Sequence, residues 1–174
     1  MTKSAKKTVA DTRTVMNRLV MPGDANTFGT LMGGHLLNWM DMCAAIAARR
    51  HSNSYAMTVS IDRVQFISSI ALGEVVIIEA EVTRAFRKSM EVAVKVTAEN
   101  LKSSDKRLVT ATFFTFAAVD ADGATIPVPE IIPETSARKI RYEEAGGRRD
   151  QRLKDSGLFK KAAEPFSAED EGAD

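Results

Sequence analysis

The stretch Thr27–His51, TFGTLMGGHLLNWMDMCAAIAARRH, decides the fold. From Gly33 onward it is too long for a usual strand and is dominated by Leu, Met and Ala. That predicts one helix over about Gly33–His51. The helix is apolar nearly all round, so it reads as wrapped by other structure rather than lying on a surface. One carboxylate, Asp41, stands in its middle. On an ideal helix Gly34, Asn38, Asp41 and Ala45 share a small, polar stripe, while Leu36, Leu37, Trp39, Met40 and Ile46 cover the rest. Such a stripe leaves room for something other than a side chain.

A buried carboxylate costs several kcal/mol unless it is paired or neutral, and burial is one route to a general base. From the helix alone two readings of Asp41 stand open: a structural acid held by a backbone N–H or an arginine, or a working group. Gly33 and Gly34 open the helix, where unpaired N–H groups meet the positive end of its dipole and could polarise a carbonyl oxygen. They could equally form only a tight turn. Gly34 and Asp41 lie about 10 Å apart along the axis. That gap could hold a carbonyl, a water and a carboxylate, or the acid facing these glycines could come from another subunit.

Past the helix the period changes to two. In SMEVAVKVTAE, Met90, Val92, Val94, Val96 and Ala98 share one face, and Glu91, Lys95, Thr97 and Glu99 share the other, solvated one. GEVVIIEAEVTRAF turns Val76, Ile78, Ala80 and Val82 inward, and RLVTATFFTFAAV is apolar on both faces like a central strand. AMTVSIDRVQF alternates through Met57, Val59 and Ile61, then shifts phase to Val64 and Phe66, which suggests a bulge. Short connections, FRKS and LKSSDK, suit antiparallel hairpins. With a first strand within about Thr12–Val20, the sum is α+β: a five-stranded antiparallel sheet wrapped around one long helix. One helix covers only part of such a sheet, so a second subunit is expected to bury the rest. Residues 1–11 read as a flexible tail, 12–134 as one domain, and 135–155 as a C-terminal helix capped by Thr135 or Ser136 and interrupted at Gly146-Gly147. Residues 156–174 read as a disordered acidic tail.

Composition narrows the partners. The 174 residues carry a net charge of +1, which gives no electrostatic case for nucleic acid. The basic 138–161 segment alternates with acids and has few aromatics, so it reads as a solvated helix. No run reaches the roughly 20 apolar residues of a membrane span, and MTKSAKKTVADTR has no apolar stretch of a secretory signal. The lone Cys43 permits no internal disulfide and fits a reducing, cytoplasmic setting. It reads as a packing thiol. His35 points about 100° from the Asp41 stripe. His51, Arg49 and Arg50 read as groups compatible with the helix C-terminus. No zinc spacing or Walker-type glycine loop is present.

MPGDANTFGTLMGGHLLNWMD, AARRHS, RKSMEV, FFTFAAVD and IPVPEIIPET together resemble the hotdog-fold acyl-CoA thioesterases of the cytosolic acyl-CoA hydrolase type, from about Val15 to Arg152. The resemblance implies a hotdog fold, a dimer with a continuous sheet, and a trimer of such dimers. It places the helix carboxylate at Asp41, as general base on water or as nucleophile, and the loop asparagine at Asn26, orienting the water or the carbonyl, the two acting across the subunit interface. Gly33 and Gly34 N–H groups would hold the oxyanion. Arg87, Lys88 and Ser89 would bind the anionic CoA, although a solvated basic turn is the plainer reading of those three. The reaction implied is hydrolysis of fatty acyl-CoA to a fatty acid and CoA. It would need no metal and no cofactor, since a thioester is already a good acyl donor. Two other functions compete. One is a hotdog dehydratase, which wants a histidine where Asn26 stands. The other is an acyl-CoA-binding or regulatory protein without turnover.

Overall fold

The computed structural model describes residues 6–163. Five strands form the main sheet: β2 (Thr14–Leu19), β3 (Tyr55–Ile61), β4 (Val75–Ala85), β5 (Ser89–Glu99) and β6 (Lys106–Val119). Their spatial order is β2-β4-β5-β6-β3, and every pairing is antiparallel. The long helix α2 (Gly33–Ser52) touches all five strands. The inner face is the expected one. Val76, Ile78 and Val82 of β4, Met90, Val92 and Val96 of β5, and Phe114 and Phe116 of β6 are fully buried against α2. Each such side chain contributes about 1.5–3 kcal/mol by leaving water. No described helix is long and apolar enough to cross a membrane.

Four expectations change. Residues 6–11 are not a loose tail. Lys7 and Thr8 form a short strand, β1 (Lys7–Thr8), parallel to β7 (Ile131–Ile132). Thr8 then caps α1 (Val9–Thr12) in a reciprocal box with Asp11, and Val9 is buried in the core. Residues 1–5 lie outside the described residues.

The second change concerns β3. Its register slips between Thr58 and Ser60, so Val59 is the extra residue of a bulge. The bulge therefore lies inside the strand, and the phase change at Val64 reflects the strand ending at Ile61. Thr58 pairs with Phe116 and Ile61 with Phe114 on the helix side, while Met57 pairs with Ala117 on the other. Met57, Val59 and Ile61 thus do not share a buried face. All three are exposed, on an edge strand that pairs with β6 on one side and with no described strand on the other.

Third, the C-terminal helix α3 (Ser136–Ala163) runs unbroken through Gly146-Gly147 and past 155. Gly146 is used for closeness: a Cβ there would come within 2.9 Å of the Arg84 guanidinium. Of the expected acidic tail, 156–163 are helical and 164–174 lie outside the described residues.

Fourth, α3 covers part of the outer sheet face, so Glu91 is not solvated but fully buried. Arg148 and Arg152 grip its carboxylate at 2.8 and 2.5 Å, and the Thr83 hydroxyl donates at 2.6 Å. Arg152 also makes a two-pronged contact with Asp62, just past β3 (2.6 and 2.7 Å). Arg138 and Arg141 clasp Glu81 of β4 in the same way.

His51, at the end of α2, is buried, and its Nε2–H donates to the Pro129 carbonyl at 2.8 Å while Nδ1 has no partner. Burial, opposed by the Pro129 carbonyl and aided by nearby Lys7, lowers its pKa below the ordinary 6.5. It is therefore a neutral packing group rather than a cation set against the dipole. Its contribution to stability is complete above the unfolded value. It is lost as pH falls from there toward the lower folded value, because the unfolded chain takes the proton first. The urea midpoint of the parent is expected to drop between about pH 7.5 and pH 5.5. His51→Gln should flatten that slope, and equal slopes in the two proteins would count against this account.

Candidate active site

Asp41 sits half-buried in the third turn of α2, on the side that faces β3. Its Oδ1 accepts the Thr58 hydroxyl at 2.7 Å. The bulge makes this contact, since it sets Thr58 on the inner face beside Phe116. The sequence alone does not single out Thr58. The phase change in AMTVSIDRVQF is the available signal, but it gives no residue-level position for the bulge. Below Asp41 along the same helix edge, Met42 and Ile46 stay exposed, and across from them lies β3, whose outer edge is unpaired in this chain. In one chain Asp41 is thus open toward the sheet edge. No arginine or backbone N–H holds it among the described residues, so the structural-acid reading loses the partners it requires.

At the start of α2 the donors are unused. Met32 offers no side-chain cap, and the first amide of the turn to find an acceptor is Leu36, bonded to the Met32 carbonyl. The N–H groups of Gly33, Gly34 and His35 have no acceptor among the described residues. Both glycines are exposed. A Cβ on Gly33 would press the Phe66 ring at 3.2 Å, whereas one on Gly34 would meet nothing within 4 Å. Gly33 is small because Phe66 lies on it, and Gly34 borders open space.

Asn26 shapes the loop that leads into the helix. Its Oδ1 accepts the Phe28 and Thr30 N–H groups at 2.9 and 3.2 Å, and its Nδ2 donates to the Thr30 hydroxyl at 2.9 Å. Gly29 closes the turn at φ +72°, a conformation that glycine adopts without strain, and its N–H bonds to the Asn26 carbonyl. One Nδ2 proton remains to serve a ligand. No hydrogen bond joins Asn26 to Asp41 within the chain, so the structure does not bring this pair into contact in one protomer.

Arg87, Lys88 and Ser89 stand at the β4–β5 hairpin, where Arg87 and Lys88 are exposed. The hairpin is fixed by Phe86 N–H to Ser89 O (2.7 Å), Ala118 N–H to Lys88 O (3.2 Å) and Val128 N–H to Arg87 O (3.0 Å). Cys43 is buried, and burial pushes its thiol up to about 11, which keeps it protonated and inert. His35 lies 3.4 Å from Asp24. Both histidines of the chain are thus engaged away from Asp41. Among the described residues no group of three or more His, Cys, Asp or Glu side chains could hold a metal ion.

Residues 28–104 match the model of the thioesterase superfamily. An uncharacterized acyl-CoA thioester hydrolase of Bacillus subtilis is 36% identical over 142 residues, 82% of this chain and 83% of that one. The chain belongs to the thioesterase superfamily. The cytosolic acyl coenzyme A thioester hydrolase of Homo sapiens is 37% identical over 143 residues, but the match spans 81% of this chain and only 38% of that longer one.

Solved thioesterases agree. The acyl-CoA hydrolase from Bacillus cereus superposes with a TM-score of 0.86 at 38% identity, over 91% of this chain and 96% of that one. An apo-hexameric acyl-CoA thioesterase gives 0.84 at 41% identity, over 88% and 98%. The Staphylococcus aureus acyl-CoA hydrolase, solved with butyryl coenzyme A, coenzyme A and coenzyme A disulfide, gives 0.85 at 30%, over 93% and 99%. That enzyme has also been solved as separate variants with an aspartate, an asparagine or a threonine changed to alanine. The hotdog fold expected from the sequence is therefore the fold of this thioesterase.

Proposed function

We propose that this protein hydrolyses fatty acyl-CoA to the free acid and CoA, with Asp41 as the base. The observation that carries the reading is the disposition of α2. One end presents N–H groups without acceptors, and the middle presents a carboxylate oriented by Thr58 and open toward the sheet edge. Asp41 takes a proton from water, and the water oxygen bonds to the thioester carbonyl carbon. The oxyanion is held by the Gly33 and Gly34 N–H groups. The C–S bond then breaks, and the CoA thiolate leaves and is protonated. A thioester is labile enough that the scheme requires no metal or cofactor.

Asn26 is engaged in its own loop and does not meet Asp41 in one chain. We place it in the site formed with a second copy, where its remaining amide proton orients the water or carbonyl. The edge strand supports that arrangement. Tyr55, Met57, Val59 and Ile61 of β3 and Met42 and Ile46 of α2 form an exposed apolar border, a surface that pairing two copies through β3 would cover. The homodimer would then hold two equivalent sites, and the hexameric neighbours support a trimer of dimers. Arg87, Lys88 and Ser89 supply donors for the CoA phosphates. A single buried thiol suits a cytoplasmic setting. A dehydratase is disfavoured because neither histidine is placed to shuttle a proton with Asp41.

The test is thiol release from a series of straight-chain acyl-CoAs of increasing length. Turnover of at least one chain length is expected. CoA binding with no thiol released from any of them would replace this reading with the non-hydrolytic one.

A further inference from the structure

Among the described residues the most exposed large apolar side chain is Phe28, at 88%. It stands at the tip of the loop that Asn26 shapes. We propose that Phe28 packs along the acyl chain of the thioester in a site whose base is the partner's Asp41, so that chain-length preference is set from across the interface; this rests on the acyl-CoA reading above.

A lone exposed phenylalanine is common on protein surfaces and carries no argument by itself. This one is held out on a fixed backbone. The Asn26 N–H donates to the Thr30 carbonyl (2.8 Å), the Gly29 N–H donates to the Asn26 carbonyl (3.0 Å), and the Phe28 N–H donates to Asn26 Oδ1 (2.9 Å). The loop is tied in turn to its surroundings. The Leu72 N–H donates to the Gly29 carbonyl and the Met32 N–H to the Asp24 carbonyl, both at 3.0 Å. A ring on a loose tip would fold back and gain about 1.5–3 kcal/mol by leaving water. Here the gain is left for whatever meets the loop.

The neighbour of Phe28 identifies what that is. Asn26 makes no contact with Asp41 in its own chain. Its side chain holds the Phe28 amide, so the two residues travel as one rigid unit. Any arrangement that brings the Asn26 amide to the partner's Asp41 brings the Phe28 ring to the same site.

Chemistry then chooses between the two halves of the substrate. From Asn26 to Gly34 the chain carries no charged side chain, so nothing there answers a phosphate. Leu72, bonded to the loop at Gly29, and Phe66, whose ring lies on Gly33, are both about half exposed. The donors of Gly33 and Gly34 thus open onto an apolar rim. Pantetheine carries amides that need hydrogen-bonding partners, whereas an alkyl chain needs only cover. With the carbonyl oxygen on the helix-start N–H groups, the hydrocarbon is the half that suits Phe28.

The experiment measures kcat/KM on a long-chain and a short-chain acyl-CoA. The long-to-short ratio is expected to fall about tenfold in Phe28→Ala, equivalent to about 1.4 kcal/mol, and Phe28→Leu should recover part of it. A ratio that is unchanged or rises overturns the contact. The crossing is tested by unfolding and refolding Phe28→Ala with a large excess of Asp41→Ala, and subtracting the activity of Asp41→Ala alone. Nearly every working Asp41 is then paired with a chain that keeps Phe28, and the parental ratio should return. A ratio that stays at the Phe28→Ala value means that Phe28 serves its own chain, which overturns the crossing. Calorimetric titration of an alkyl-CoA thioether, which has no carbonyl and is not cleaved, separates this from the hydrolase reading. A parent that releases no thiol but binds the long-chain thioether more tightly than Phe28→Ala, with no such gap for CoA itself, defeats the hydrolase and keeps the contact.

Discussion

Asp41→Asn is expected to lower the rate of CoA release at least about 100-fold, the usual loss when a positioned base is removed, with little change in KM. The asparagine keeps the shape and can still accept the Thr58 hydroxyl, so the fold should persist and the loss should report the proton transfer. A parent-like rate in the variant would return Asp41 to a structural role. The subunit arrangement is tested in the same assay by mixing Asp41→Ala with Asn26→Ala after unfolding and refolding them together. Alone, each variant lacks one member of every site. In a mixed dimer one site lacks both groups, and the other takes intact Asp41 from one chain and intact Asn26 from its partner. Random pairing then restores about a quarter of parental activity, provided that the lost groups act at full strength. If the site were built within one chain, mixing would restore nothing. This matters because Asn26→Ala also loosens its own loop, where the amide holds Phe28 and Thr30. Recovery in the mixture shows that the two chains share the site, which the inactivity of Asn26→Ala alone does not.

How much of this could be read from the chain follows from what period and composition encode. The inner faces of β4 and β5 alternate cleanly, and all nine residues assigned inward are buried. The helix and its central acid were legible because no strand runs that long. What failed were features made by distant elements. Glu91 has the spacing of a solvated residue, and only α3, some sixty residues later, makes it a buried one. Lys7 and Thr8 look like tail because nothing local shows the pairing with Ile131 and Ile132. The bulge at Val59 is visible as a lost phase but cannot be placed from it, so Thr58 stays hidden although it holds Asp41. Arg49 reads as a helix-end charge for the same reason. Its surroundings come from β3 and the segment after β6, and no spacing along α2 reports them.

The buried acid on the outer face yields the second large effect, this time on stability. Glu91 is 0% exposed, while Arg148 and Arg152 keep 23% and 17% of their side-chain surface. Glu91→Ala removes the shared carboxylate, leaves two guanidinium groups facing each other beneath α3, and strips the Thr83 hydroxyl of an acceptor. Breaking a buried pair from one side costs about 3–5 kcal/mol. The lower end is expected here, because both arginines can swing toward water. Urea unfolding followed by circular dichroism should show that loss. A change under about 1 kcal/mol would mean that the pairs behave like exposed ones. The cost is one of imbalance rather than of lost attraction, and a further variant separates the two. Replacing Glu91, Arg148 and Arg152 together with apolar residues of similar size leaves no fully buried charge stranded, and stability is expected to return close to the parent. Asp62 would then have lost Arg152, which grips it just past β3, four residues after Thr58. If the triple variant is stable yet slow, the arginine clasp serves to position β3 rather than to hold the fold together. If it is stable and fully active, α3 contributes cover to the sheet and nothing to the placement of Thr58.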